Sequence, residues 1–154
     1  MESVLFKSIT ELGKSIRNKE VSSQEVLDSY LKRIVDVNPK LNAVVQISEE
    51  TAHLSAIKAD EELAKGKIPG PLHGIPMTIK DSFDTKGIIS TGGTKGREHF
   101  VPSEDATVVN RLRNAGAILI GKTNTSELTL TYETDNLIYG KTNNPYNTKH
   151  SSGG

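Results

Sequence analysis

Leu72-His73-Gly74-Ile75-Pro76-Met77-Thr78-Ile79-Lys80-Asp81 is the stretch on which the reading of the fold turns. Its centre, Ile75 to Ile79, is a brief apolar run that leads straight into two charges, Lys80 and Asp81. The simplest reading is a buried strand whose end carries both charges. Upstream, Pro69-Gly70-Pro71 is a linker or loop. Downstream, Thr85 to Pro102 is loop-like, with Gly87, Gly92, Gly93 and Gly96. A lysine at the carboxyl end of a strand sits where α/β sheets place their ligand crevices. By position alone, Lys80 reads better as a surface lysine, or as one paired with Asp81.

The flanking segments alternate between helix and strand signals. Ser8-Ile9-Thr10-Glu11 and Ser22-Ser23-Gln24-Glu25 both have the Ser-x-x-Glu spacing of a capping box. After the second, Val26, Leu27, Tyr30, Leu31, Ile34 and Val35 recur at three- and four-residue intervals. That spacing predicts an amphipathic helix to about Val37, where Asn38-Pro39 stops it. Leu41 to Ile47 reads as a short strand. Glu49 to Lys65 is rich in strong helix formers and ends at Gly66. Asp105 to Ala115 suits a helix with an acidic start. Ala117-Ile118-Leu119-Ile120 is a buried strand that Gly121 ends. Helices alternating with short buried strands imply an α/β fold, helices covering a central sheet.

Composition narrows the function classes. A chain of 154 residues is long enough for one domain with a real core. Hydrophobic residues make up 34% and charged residues 25%, the balance of an ordinary folded protein. Lys plus Arg and Asp plus Glu each total 19, so net charge gives no reason to expect nucleic acid or an anionic membrane as partner. The absence of cysteine excludes disulfides and thiol catalysis. The amino-terminal residues lack the pattern of a signal peptide, and no run approaches the roughly 18 apolar residues that span a bilayer. A cytoplasmic protein is the expectation, with a homo-oligomer left open.

Gly116-Ala117-Ile118-Leu119-Ile120-Gly121-Lys122-Thr123 satisfies the spacing of a phosphate-binding loop. Such a loop wraps phosphate with backbone N–H groups, entering from a strand and leaving into a helix. Here four apolar residues fill the loop positions and a helix precedes the first glycine, so the match is one of chance. His53, His73, His99 and His150 show no metal-ligand spacing and read as scattered surface histidines; no metal or cofactor is expected. Asp60, Glu61 and Glu62 read as a solvated helix face. Thr129, Leu130 and Tyr132 suit a pocket wall or the core equally well. No exposed apolar stripe stands out as an interface.

The segment from Leu72 to Asp81 resembles the Leu-His-Gly-Ile-Pro-x-x-x-Lys-Asp hallmark of the amidase-signature family. The similarity continues through Ser90-Thr91-Gly92-Gly93-Thr94 and Asp105-Ala106-Thr107-Val108-Val109. It then covers Gly116 to Asn124 and Gly140-Lys141-Thr142-Asn143-Asn144-Pro145, so it spans almost the whole chain in order. The resemblance implies the N-terminal portion of that family's fold, a mixed central sheet covered by helices and incomplete at the C-terminus. Within it, residues 1–66 form a helical N-terminal region and residues 67–154 the start of the catalytic core.

The family implies a serine hydrolase with a Ser–Ser–Lys triad. By resemblance Lys80 is the triad lysine, accepting the nucleophile's proton through a bridging serine. A free lysine has a pKa near 10.4, so a base at neutral pH calls for desolvation or a place near other donors, and full burial shifts such a group by roughly 3–5 units. By alignment, Leu128 and Thr129 fall near the family's acyl-pocket wall. The family's Asn-Pro-aromatic run leads to Gly-Gly-Ser-Ser-Gly-Gly-Ser. In one register Ser151 is the bridging serine; in the preferred one, Gly153-Gly154 is the first glycine pair and both serines lie beyond it.

These residues imply amide hydrolysis of a small-molecule substrate by the full-length enzyme, with this chain by itself inert. One alternative is the ammonia-releasing subunit of a glutamine-dependent tRNA amidotransferase, the one reading that brings in nucleic acid. Against it, Thr125-Ser126-Glu127-Leu128 departs from the Asn-x-Asp-Glu-Phe-Ala-Met run expected there. A non-catalytic binding or assembly domain is the other alternative.

Overall fold

The computed structural model describes residues 2–153. Its elements are α1 (Glu2–Leu5), α2 (Ile9–Arg17), α3 (Ser23–Leu41), β1 (Val44–Ile47), α4 (Glu49–Ala64), β2 (Pro76–Lys80), α5 (Thr107–Asn114), β3 (Ile118–Thr123), β4 (Asn143–Asn144) and β5 (Asn147–Ser151). Three strands pair in the order β1-β3-β2, and β4 pairs with β5. β1 runs antiparallel to β3. β2 and β3 ascend together, with Ile118 N–H donating to Ile75 O and Asp81 N–H to Thr123 O, each at 2.8 Å. The class is therefore α/β with a mixed sheet, as the alternation of helix and strand signals implies. No helix among the described residues is long and apolar enough to cross a membrane.

The chain divides into two compact units: Met1–Ile34, Ser48–Met77 and Arg111–Ile120 in the first, Val35–Ile47, Thr78–Asn110 and Gly121–Gly154 in the second. In the first unit, Leu27 and Leu31 of α3 and Ala52, Ala56 and Ala59 of α4 pack on Ile118 and Ile120 of β3. A second cluster joins Leu12 and Ile16 of α2 to Val26, Leu63 and Ile75. The apolar spacing on α3 is thus the face that meets the strand. Each large aliphatic side chain so buried contributes roughly 1.5–3 kcal/mol.

Both capping boxes form. Ser8 Oγ accepts from Glu11 N, and the Glu11 carboxylate accepts from Ser8 N at 2.8 Å. Ser22 and Glu25 repeat the exchange at 3.1 and 2.8 Å. Asp60 departs from the solvated face expected of it. Its carboxylate accepts from Ser23 N at 2.7 Å and Gln24 N at 3.2 Å, free donors at the start of α3. His73, expected at the surface, is buried with Nε2 2.9 Å from Ala59 O.

Two boundaries differ from expectation. α3 continues past Asn38-Pro39 to Leu41. A proline in the last turn forfeits only one backbone bond. The Asn38 side chain then closes the end, accepting from Ala43 N and Val44 N at 2.9 Å and donating to Val44 O at 2.8 Å. Gly121 does not end β3 but lies inside it, opposite Ile47. A Cβ there would fall 2.3 Å from Gln46 O, so only glycine lets β1 approach. The other glycine of the phosphate-loop spacing, Gly116, has φ +94°, and a Cβ would lie 2.7 Å from His73 Cα. Both glycines answer to close backbone approach, and the segment between them runs directly into β3 and is not an anion loop.

Candidate functional site

The site is built within the second unit, where β2 ends. Ile79 is buried, Lys80 half-buried and Asp81 buried, so the strand delivers its charges inward rather than onto an open surface. Lys80 lines a cavity of about 270 Å³ together with Thr123, Asn124, Thr142, Ser152 and Gly153. The Lys80 carbonyl accepts from Phe83 N at 3.0 Å, while its side chain makes no hydrogen bond or ion pair among the described residues. The wall around it is a knit of amides and hydroxyls. Asn124 Nδ2 donates to Gly140 O at 2.9 Å and Thr142 Oγ1 at 3.0 Å, while its Oδ1 accepts from Asn136 Nδ2 at 2.7 Å. Thr142 Oγ1 donates to Asn42 O at 2.6 Å. These bonds spend the amide hydrogens of Asn124 and the hydroxyl hydrogen of Thr142 within the wall and so fix its shape beside the Lys80 amine.

Ser152, rather than Ser151, reaches this cavity. Its backbone is pinned by Ser152 N–H to Thr142 O at 2.9 Å and Thr134 N–H to Ser152 O at 3.1 Å. Ser151 ends β5.

Leu128 and Thr129 stand apart from the residues lining that cavity. Both carry left-handed backbones, with φ of 50° and 61°, a conformation that costs non-glycine residues roughly 1–3 kcal/mol each. The turn is held by Leu128 N–H donating to Gly92 O at 2.7 Å and by Thr125 Oγ1 and Thr129 Oγ1 3.3 Å apart. Thr129, Leu130 and Tyr132 lie at the surface, not in a core. Leu137 and Tyr146 are likewise exposed, at 80% and 98%.

The strand beside β2 carries a group that the sequence reading passed over. Lys122 is completely buried, and its amine donates to Phe83 O at 2.7 Å, Thr85 Oγ1 at 2.9 Å and Ser90 Oγ at 3.0 Å. Asp81 Oδ1 lies 3.9 Å from the same nitrogen. Burial pushes the Lys122 amine down from 10.5 to about 8, outweighing the opposing pull of Asp81. Burial also pushes the Tyr139 hydroxyl up. The signal for Lys122 was its place after Ile118-Leu119-Ile120: once Gly121 continues the strand, a residue of a strand buried on both faces follows. Among the described residues no three His, Cys, Asp or Glu side chains gather to hold a metal ion.

The family model described as Amidase matches residues 25–154. A glutamyl-tRNA(Gln) amidotransferase subunit of Synechococcus sp. (strain CC9605) is 40% identical over 96% of this chain and 30% of its own length. Fatty-acid amide hydrolase 2-B of Danio rerio is 42% identical over 98% of this chain and 30% of its own. Among solved structures, a bacterial aryl acylamidase of the amidase signature enzymes superposes with a TM-score of 0.91 at 29% identity, over 97% of this chain and 31% of that one. The chain thus spans about 30% of the length of these relatives.

Proposed function

Because the chain belongs to the amidase family, the amidase-signature enzymes, we propose that it carries the proton-accepting lysine of an amide-cleaving serine enzyme, and that this lysine is Lys80. The observation that carries the reading is the half-buried Lys80 at the carboxyl end of β2, lining a cavity with Thr123, Asn124, Thr142 and Ser152. In the reaction, a serine oxygen attacks the amide carbonyl carbon and its proton passes through a bridging serine to the Lys80 amine nitrogen. The same relay returns a proton to the departing amine. Water then opens the acyl-serine ester. In the register in which Gly153-Gly154 is the first glycine pair, both serines follow that pair.

The decisive assay uses an extended polypeptide that carries these residues together with the nucleophile segment. Lys80→Ala abolishes hydrolysis of a simple aryl amide there while the fold, followed by circular dichroism, is kept. Retained hydrolysis in Lys80→Ala refutes the reading.

The 40% identity to an amidotransferase component favours a second reading, in which the amide is glutamine and the ammonia passes to a partner protein. Glutamine hydrolysis that rises on adding the partner proteins and tRNA separates it from the first.

A further inference from the structure

Lys122 stands one residue before Thr123 on β3, and Thr123 O receives the Asp81 N–H at 2.8 Å. Every polar group of Asp81 is engaged. Its carboxylate accepts from Thr91 N at 3.1 Å and from Thr91 Oγ1, and its carbonyl accepts from Gly92 N at 3.3 Å. Thr91 Oγ1 in turn accepts from Gly93 N at 2.9 Å, and Gly92 O accepts from Leu128 N at 2.7 Å. The Lys122 ammonium closes the other side of this corner, with all three of its N–H bonds spent on Phe83, Thr85 and Ser90. No donor remains for a phosphate. What does remain is its charge, facing the Asp81 carboxylate across 3.9 Å with both side chains fully buried.

We propose that Lys122 is a positioning residue for Lys80, acting through Asp81 and the Thr91–Gly93 turn to set the corner from which Lys80 enters its cavity. The inference rests on the reading of Lys80 as the base. A bare structural lysine would satisfy three acceptors anywhere in the core. This one adds the countercharge for a carboxylate adjacent in sequence to Lys80, and that carboxylate organises the turn supporting Leu128. Removing one partner of a buried pair leaves the other uncompensated, so the two are energetically a unit. The other charges facing Lys122 are Asp84 and Asp105, which favour its ammonium form, and Arg97, which opposes it and is itself paired with Asp84.

The test is a pH titration of the 154-residue chain by NMR, following lysine Cε and backbone amide signals between pH 6.5 and 10. Lys122 Cε and the Thr91, Gly93 and Lys80 backbone amides should share one midpoint. Ser90→Ala removes one acceptor of the ammonium and should move that midpoint down, for all four reporters alike, by about one unit. Lys122→Met should abolish the step at Lys80; where that variant does not fold, Ser90→Ala decides. Thr91, Gly93 and Lys80 signals that ignore the titration of Lys122, or stay fixed while Ser90→Ala moves it, overturn the proposal. In the amide-hydrolysing extended chain, Ser90→Ala should shift the pH profile of kcat by the same amount with KM unchanged. Activity surviving Lys80→Ala in that chain refutes the base reading, while the titration still reports whether Lys122 and the Lys80 corner are coupled.

Discussion

Replacing Lys122 by Met tests how the buried lysine contributes to stability, because the two sides of the balance depend differently on pH. Methionine fills a similar volume but leaves Phe83 O, Thr85 Oγ1 and Ser90 Oγ without their shared donor and Asp81 without its countercharge. Breaking a buried pair in this way costs roughly 3–5 kcal/mol, and that is the loss expected at pH 7. The second contribution has the opposite sense. The folded chain holds Lys122 at about 8 while the unfolded chain holds it at 10.5, so between these values the unfolded state binds more protons. Stability from this group is therefore complete above pH 10.5 and is lost as pH falls through about 8. Each pH unit above 8 adds about 1.4 kcal/mol, so raising pH from 7 to 9.5 adds about 2 kcal/mol to the wild type and nothing to Lys122→Met. The raised Tyr139 hydroxyl acts on both proteins and cancels in the difference. Urea unfolding at the two pH values, with stabilities extrapolated to water, measures the gap between the proteins directly. A gap that stays constant from pH 7 to 9.5 refutes the argument that burial outweighs Asp81 at this amine.

Asp60→Ala removes the acceptor of Ser23 N and Gln24 N and should lower stability by about 1–2 kcal/mol, the worth of a good helix cap. An unfolding midpoint unchanged in urea would return Asp60 to the solvated face. Gly121→Ala places a Cβ 2.3 Å from Gln46 O and should cost on the order of 1–3 kcal/mol while speeding amide exchange at Gln46 and Lys122. Exchange rates there equal to those of the parent chain would show that β1 is not held as closely as the register of β1 on β3 requires.

Much of the fold was legible because it is written in local periodicity. Capping boxes at Ser8 and Ser22 need only residues three positions apart, and both formed. The apolar spacing of α3 named Leu27 and Leu31 as core before any partner was known. Pro39 misled because a proline's cost depends on where in the helix it falls, which the last turn of α3 made small. Asp60 and His73 misled because each takes its partner from a segment distant in sequence, Ser23 for one and Ala59 for the other.

The same division holds at Lys80. The run Ile75–Ile79 and the two charges after it determined by themselves that a lysine would stand at a strand's carboxyl end, since alternation and apolar run length are properties of the strand alone. The company of that lysine was decided only by tertiary structure. Thr123 and Asn124 come from β3 and its end, Thr142 from the loop before β4, and Ser152 and Gly153 from the stretch after β5, all on segments far along the chain. Lys122 shows the reason most plainly. In one dimension only its spacing from Gly116 and Gly121 matches a phosphate loop. Burial strips water from the amine, and only three dimensions supply Phe83, Thr85, Ser90 and Asp81 to replace that water.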